Sequence, residues 1–85
     1  MPVDLLYFSW VREAIGMGGE TLELPGDLVT VSDLIDWLAM RSEGHARAFA
    51  ERARLRAAVD QVFVGLDAPL GRPHEVAIFP PVTGG

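Results

Sequence analysis

The sequence predicts an α+β domain in which a main helix packs on one face of a mixed β-sheet. Three observations favour this class: strand-like runs stand near both ends of the chain, an amphipathic helix lies between them, and turn-forming residues separate the elements. The 85 residues leave room for one hydrophobic core. Because 49% of them are apolar, the composition is that of a folded chain.

Two strands and a connection are predicted for the first quarter of the chain. Val3–Phe8 is aliphatic and aromatic, as strands are. Glu20–Pro25 alternates carboxylates with apolar residues, so we expect a second strand at the sheet edge with its carboxylates in solvent. Between the two strands, residues 10–16 have room for one helical turn, and Gly16–Gly19 is a flexible connection.

Residues 30–41 carry the signals of the main helix. Apolar residues recur there at helical spacing, which predicts one buried face. Thr30 or Ser32 can cap the N-terminus, since their hydroxyl oxygens accept hydrogen bonds from free backbone N–H groups. Asp33 falls in the first turn, where the helix dipole favours a negative charge.

A short second helix and two further strands are predicted for the remainder. Residues 45–58 have high helix propensity at first, and we expect the helix to break near Arg54–Arg56. Ala57–Leu66 and residues 74–81 have strand composition. The order β-β-α-α-β-β, with the first and last strands parallel at the centre, is that of the β-grasp (ubiquitin-like) fold with four to five strands.

The last six residues are predicted to form an extended, flexible tail (80–85) on a β-grasp domain of residues 1–79. Pro80 and Pro81 lack the N–H groups that would continue a sheet, and their rings restrict the backbone to extended forms. Val82 and Thr83 also favour extended backbone. Gly84 and Gly85 carry no side chain, so this end of the chain fits a slot too narrow for other residues.

Composition excludes several classes of protein. A formal net charge of −5, with Arg as the only basic residue type besides histidine, argues against nucleic-acid binding. No apolar run approaches the roughly 20 residues of a membrane helix, and the N-terminus lacks the basic start of a signal peptide. The chain has no cysteine, so we expect a cytoplasmic protein without disulfides or membrane contact.

The body of the domain shows no catalytic or metal-binding motif. His45 and His74 are expected in solvated loops, and no cysteine or ligand-spaced acid accompanies them, so no metal site is predicted. Ser9, Ser32 and Ser42 are expected to have no histidine nearby in the fold to act as a base. We therefore expect that the chain is not an enzyme by itself.

Three phenylalanines are expected on the sheet face away from the main helix. Alternation with Asp4, taken as solvent-facing, turns Phe8 outward. If the valines on either side of Phe63 belong to the core, Phe63 points outward as well, and the same alternation places Phe79 there. The open alternative is that the faces are inverted or that Phe63 or Phe79 turns into a secondary core. An exposed aromatic patch of this kind favours a protein partner.

The carboxylate of Gly85 is the candidate reacting group. With an ordinary pKa of about 3.3–3.7 it is ionised and a poor electrophile at neutral pH. Activation by ATP to an acyl-adenylate, followed by attack of a sulfur nucleophile, would leave a thiocarboxylate. The carrier needs no permanently bound cofactor for this chemistry, because the activating enzyme uses the ATP.

The sequence resembles the small, sulfur-carrying subunit of molybdopterin synthase, the MoaD-type family, over its whole length. The matching stretches are Leu5–Gly16, Ala57–Val64, Asp67–Leu70 and Glu75–Gly85, of which the last, ending in FPPVTGG, is the most specific. The resemblance implies a β-grasp fold. It also implies that Gly85 is adenylated by an enzyme similar to ubiquitin-activating enzymes and then thiocarboxylated with sulfur from a donor enzyme.

In such a system the tail, from Pro80 through Pro81, Val82, Thr83 and Gly84, enters the active site of the large synthase subunit. Gly85 there donates sulfur to cyclic pyranopterin monophosphate in molybdenum cofactor biosynthesis. The resemblance further implies a heterotetramer with the large subunit, bound through Phe8, Phe63 and Phe79.

Three alternatives stay open from the sequence. The first is a sulfur carrier for another pathway, such as thiamine thiazole, cysteine or tRNA thiolation. The second is a ubiquitin-like protein modifier, and the third is a ubiquitin-like binding module with an inert tail.

Overall fold

A five-stranded mixed sheet packs against three α-helices in the computed structural model, which describes residues 2–81. The strands run in the order β2-β1-β5-β3-β4. The elements are β1 (Pro2–Tyr7), α1 (Ser9–Ile15), β2 (Gly19–Glu23), α2 (Val31–Ala39), α3 (Glu43–Ala48), a 3₁₀ turn (Arg52–Arg54), β3 (Arg56–Val59), β4 (Val62–Val64) and β5 (Glu75–Phe79).

The first and last strands pair in parallel at the centre of the sheet, as predicted. β1 also pairs with β2 and β5 also pairs with β3, both antiparallel. Alternation places Val3, Leu5 and Tyr7 of β1 in the core, together with Val76 and Ile78 of β5. The helices cover this inner face of the sheet, and no helix within residues 2–81 covers the other face, here called the outer face.

Helix α2 begins at the predicted cap. The Thr30 hydroxyl accepts a hydrogen bond from the Asp33 N–H at 3.1 Å, and the Asp33 carboxylate accepts from the Thr30 N–H in return. Backbone hydrogen bonds from Thr30 and Val29 hold the pKa of Asp33 below its ordinary value. One face of the helix is buried in the core through Val31, Leu34, Ile35 and Leu38.

Helices α1 and α3 differ from the expected boundaries. Helix α1 spans seven residues, where one turn was expected, and ends at Gly16 in the left-handed region. Helix α3 begins two residues before His45 because Ser42 caps it, and it ends at Ala48, well before Arg54. The residue that caps its C-terminus, Phe49, has its side chain buried in the core.

The prediction that His45 is a solvated loop residue is wrong, while His74 is exposed as expected. His45 lies in α3 and is buried, with Nε2 2.7 Å from Glu20 Oε2 and Nδ1 2.7 Å from Ser42 Oγ. The Tyr7 hydroxyl donates to the same Glu20 oxygen at 2.8 Å. Because an ionised carboxylate only accepts hydrogen bonds, Nε2 carries the imidazole proton.

Glu20 therefore does not belong to a wet strand face, as the alternation in β2 suggested. Its carboxylate ties the edge strand β2 to α3 and to the central strand β1. Burial alone would raise the pKa of Glu20, but hydrogen bonds from His45 and Tyr7 outweigh it, so the pKa lies below its ordinary value. Burial, reinforced by the Glu20 hydrogen bond, raises the pKa of Tyr7.

The assumption that both valines beside Phe63 belong to the core is also wrong for Val62. Val62 is 62% exposed, whereas Val64 is partly buried against the core. Strand β4 has only three residues and lies at the edge of the sheet, and Val62, at its start, is exposed. No helix within residues 2–81 is long and apolar enough to cross a membrane.

We expect Gly44→Ala to destabilise the domain by about 1–3 kcal/mol, because the added methyl group overpacks a tight helix contact. A Cβ on Gly44 would overlap the carbonyl oxygen of Ala14 and lie 3.2 Å from Cα of Ile15. Urea unfolding measures the change. The control is Gly26→Ala, since a Cβ there meets nothing within 4 Å. Equal stability of the two variants would contradict the contact.

We expect Glu20→Gln to lower the free energy of unfolding at neutral pH by about 1–3 kcal/mol, because the amide cannot replace a carboxylate that accepts from two buried donors. The folded-state pKa of Glu20 is depressed, so this stabilisation is present above its ordinary pKa of 4.5. It is lost as the pH falls through the folded-state value. The wild-type advantage should therefore shrink in acid.

Urea unfolding between pH 3 and pH 7 provides the measurement. The matched control is Glu13→Gln on the exposed side of α1, which should change the free energy of unfolding by less than about 0.5 kcal/mol at any pH. If the difference in free energy of unfolding between the wild type and Glu20→Gln stayed the same from pH 7 to pH 3, the proposed dependence on the Glu20 charge would be refuted.

Candidate functional site

The parallel pairing of β1 and β5 brings two of the predicted site residues together at the C-terminal ends of these two central strands. Tyr7 of β1 is in register with Ile78 of β5, and the residues that follow them are Phe8 and Phe79. Pro80 and Pro81 follow Phe79. The start of α1 and the exit of β5 are therefore neighbours in space.

All three predicted phenylalanines lie on the outer side of the domain. Phe8 is 48% exposed, Phe63 is 79% exposed and Phe79 is half-buried, with the Phe63 and Phe79 ring centroids 5.7 Å apart. They border an open hollow of about 550 Å³. We call its lining residues the phenylalanine patch: Phe8, Ser9, Phe63, Ala77, Phe79, Pro80 and Pro81.

Small residues beneath the patch complete its floor. Ala58 of β3 is paired with Phe63 on one side and with Ala77 on the other. Both alanines lie on the outer face and are nonetheless buried, so larger neighbouring side chains cover them. The strong exposure of Phe63 rules out a secondary core for this ring, and the outward direction of the phenylalanines is as predicted.

A strained turn at Ser9, which the sequence did not reveal, forms one wall of the patch. Strand β1 ends at Tyr7, Phe8 has extended backbone as the N-cap of α1, and Ser9 has a φ of 57°. A non-glycine residue in the left-handed region costs roughly 1 kcal/mol. The turn redirects the chain from strand to helix immediately after Phe8. Serine gives no sequence signal for positive φ, since Gly and Asn are the residues usually found there.

The tail itself is described only at its beginning. Pro80 and Pro81 lie within the patch. The predicted tail residues Val82, Thr83 and Gly84 and the predicted reacting residue Gly85 lie outside the described residues. The division into a domain of residues 1–79 and a tail of residues 80–85 stays a prediction, although β5 does end at Phe79.

The buried polar cluster around His45 has the residue types of a catalytic triad. Ser42, His45 and Glu20 are joined by two contacts of 2.7 Å, so the statement that no serine has a histidine nearby is wrong for Ser42. The Ser42 hydroxyl also accepts the backbone N–H of His45 as the cap of α3. The cluster thus fixes a helix start and an edge strand. Within residues 2–81, no three His, Cys, Asp or Glu side chains are placed to hold a metal ion.

Comparison with known proteins identifies the family. Residues 5–85 match the model of the ThiS family. The chain belongs to the ThiS family. Among curated members, it is 42% identical over 83 residues to the molybdopterin synthase sulfur carrier subunit of Escherichia coli K12, with 98% of this chain and 99% of the relative covered. The corresponding Haemophilus influenzae subunit is 32% identical over the same coverage. The resemblance noted in the sequence is confirmed.

Similarity to solved structures confirms the β-grasp prediction. A Pyrococcus furiosus protein described as molybdopterin converting factor subunit 1 superposes with a TM-score of 0.73 at 30% identity, covering 96% of this chain and 99% of that one. Small archaeal modifier protein 1 of Haloferax volcanii superposes with a TM-score of 0.70, covering 95% and 98%. At 22% identity, the second likeness shows the fold alone.

Proposed function

We propose that this ThiS-family chain is the sulfur carrier subunit of a molybdopterin synthase. The observation that carries the proposal is the 42% identity, over nearly the whole of both chains, with the sulfur carrier subunit of Escherichia coli. The phenylalanine patch supports it, because an apolar docking surface lies where the chain leaves the sheet towards Gly85.

The proposed chemistry takes place at the carboxylate of Gly85. A carboxylate oxygen attacks the α-phosphorus of ATP in an adenylating enzyme, and pyrophosphate leaves. Hydrosulfide delivered by a donor enzyme then displaces AMP, and the resulting thioacid loses a proton to become the thiocarboxylate. In the large synthase subunit this sulfur is transferred to cyclic pyranopterin monophosphate, and the terminus returns to the carboxylate form with an oxygen atom from water.

In this scheme the carrier supplies docking and delivery, and the enzymes that receive it supply catalysis. Pro80 and Pro81 cannot donate backbone hydrogen bonds, so they end the pairing of β5 beside the patch. A partner that covers the rings of Phe63 and Phe79 therefore also fixes the point from which residues 82–85 depart. Tight docking near the start of a short segment raises the effective concentration of its end in the partner's active site.

The choice between a carrier and a modifier depends on the kind of similarity found. The likeness to the archaeal modifier protein is one of fold at 22% identity, whereas the carrier subunits match in sequence at 42% and 32%. Carriers that serve another thiolation pathway share the same terminal chemistry. Reconstitution with cyclic pyranopterin monophosphate distinguishes them.

We expect Gly85 of protein isolated from its own cells to carry sulfur in place of one oxygen, as measured by intact mass. The thiocarboxylated chain, mixed with the large synthase subunit and cyclic pyranopterin monophosphate, should form molybdopterin. Deletion of Gly84 and Gly85 should abolish this activity while leaving the urea midpoint unchanged. Full activity of the deleted chain would refute the proposal, and isopeptide adducts on other proteins would indicate a modifier.

We expect Phe63→Arg and Phe79→Arg each to weaken binding of the large subunit at least tenfold, because truncating or charging an aromatic anchor typically costs about 2 kcal/mol or more. Isothermal titration calorimetry measures the Kd. The matched control is Met40→Arg, which adds the same charge at a residue 80% exposed at the end of α2. Wild-type affinity in both phenylalanine variants would show that the patch is not the docking surface.

A further inference from the structure

Two arginines border the phenylalanine patch. Arg56 begins β3 and is in register with Phe79, so the two side chains stand next to each other on the outer face. Arg54 lies with its guanidinium carbon 5.0 Å from the ring centroid of Trp10, which follows Ser9 of the patch in α1. Arg56 thus neighbours the patch through Phe79, and Arg54 contacts the residue that follows Ser9 in the chain.

Both guanidinium groups are held in place but keep donors free for another molecule. The Nη1 of Arg56 donates to the carbonyl oxygens of Leu55 at 2.8 Å and Ala53 at 3.2 Å. Its Nε and Nη2 groups point the other way and form the parallel pair that suits a carboxylate. Arg54 stacks on the indole through its face, which leaves the N–H groups around its edge free.

Within residues 2–81, neither arginine forms an ion pair. By contrast, Arg52 lies 2.7 Å from Asp36, and Arg41 lies 3.8 Å from Glu20. The chain as a whole carries a formal charge of −5 and offers twelve carboxylates for seven arginines. Among the described residues, Arg54 and Arg56 are therefore unpaired cations near an apolar surface, on a chain whose net charge is negative.

We propose that Arg54 and Arg56 form a cationic border that binds carboxylate side chains of the protein docking on the phenylalanine patch. The inference rests on the proposed function for the identity of that protein, the large synthase subunit. A protein carboxylate fits this border better than the phosphate of the adenylate. The adenylate forms at Gly85, whose separation from Pro80 reaches about 20 Å in an extended chain, whereas the border adjoins the patch itself.

Replacing the arginines by glutamate distinguishes pairing with partner carboxylates from general electrostatic attraction, because the two cases change the association rate in opposite directions. If the partner is simply electropositive, each arginine replaced by glutamate makes the carrier more negative and should speed association. If carboxylates face the border, the same replacements place like charges together. Association should then slow and the complex should weaken.

The experiment compares Arg54→Glu/Arg56→Glu with the wild-type chain and with Arg72→Glu by surface plasmon resonance on the immobilised large subunit. Arg72 is an exposed arginine before β5, at the end of the sheet opposite the patch. We expect the double variant to bind about tenfold more weakly or worse, with a slower association rate. The Arg72 variant should bind as well as the wild type or better.

A milder pair, Arg54→Gln/Arg56→Gln, removes the charges without adding new ones and guards against loss of folding in the glutamate variant. We expect it to bind about threefold or more weakly and to show a flatter dependence of Kd on salt concentration than the wild type. Equal or tighter binding by the folded glutamine pair would overturn the inference.

The outcomes separate the inference from the proposed function. Molybdopterin formation together with wild-type affinity in both arginine pairs would overturn the inference alone. Weakened binding of the arginine pairs without any sulfur transfer by the wild-type chain would support the border and overturn the proposed function. Absence of wild-type binding to the large subunit would overturn both.

Discussion

The parallel hydrogen bonding of β1 with β5 at the centre of the sheet is the constraint on which the molecule depends. It joins the two ends of the chain, so the core cannot close until residues about 70 positions apart are paired. Because the two strands are parallel, their C-terminal ends lie side by side, with Phe8 directly after β1 and Phe79 at the end of β5. An antiparallel arrangement would place these rings at opposite ends of the domain. The position of the phenylalanine patch is thus a direct consequence of the strand direction.

Local rules were sufficient for the parts of the fold that a few neighbouring residues determine. Alternation in β1 and β5 placed Phe8 and Phe79 correctly, because each strand carries enough core residues to fix its own faces. The cap of α2 was predictable because Thr30 and Asp33 satisfy each other within one turn. Phe63 is exposed as predicted. Val62 is exposed as well, against the prediction, because it lies in an edge strand of only three residues.

The features that the sequence did not reveal depend on partners far along the chain. His45 is buried because Glu20, 25 residues away, accepts its Nε2 proton, and no local pattern links a strand carboxylate to a helix imidazole. Helix α3 ends just before Phe49, whose ring is buried in a core assembled from other elements. Ser9 has a φ of 57° where β1 passes into α1. In each case tertiary packing decides against the local preference.

The distribution of charge allows an exposed aromatic surface to exist on so small a domain. Contiguous apolar patches favour self-association, and Phe63 is far more exposed than a core residue of its type. A net charge of −5 opposes contact between two copies of the chain. In the proposed complex Arg54 and Arg56 add local attraction for the partner's carboxylates beside the patch. The overall negative charge of the chain, by contrast, acts against self-association through the same surface.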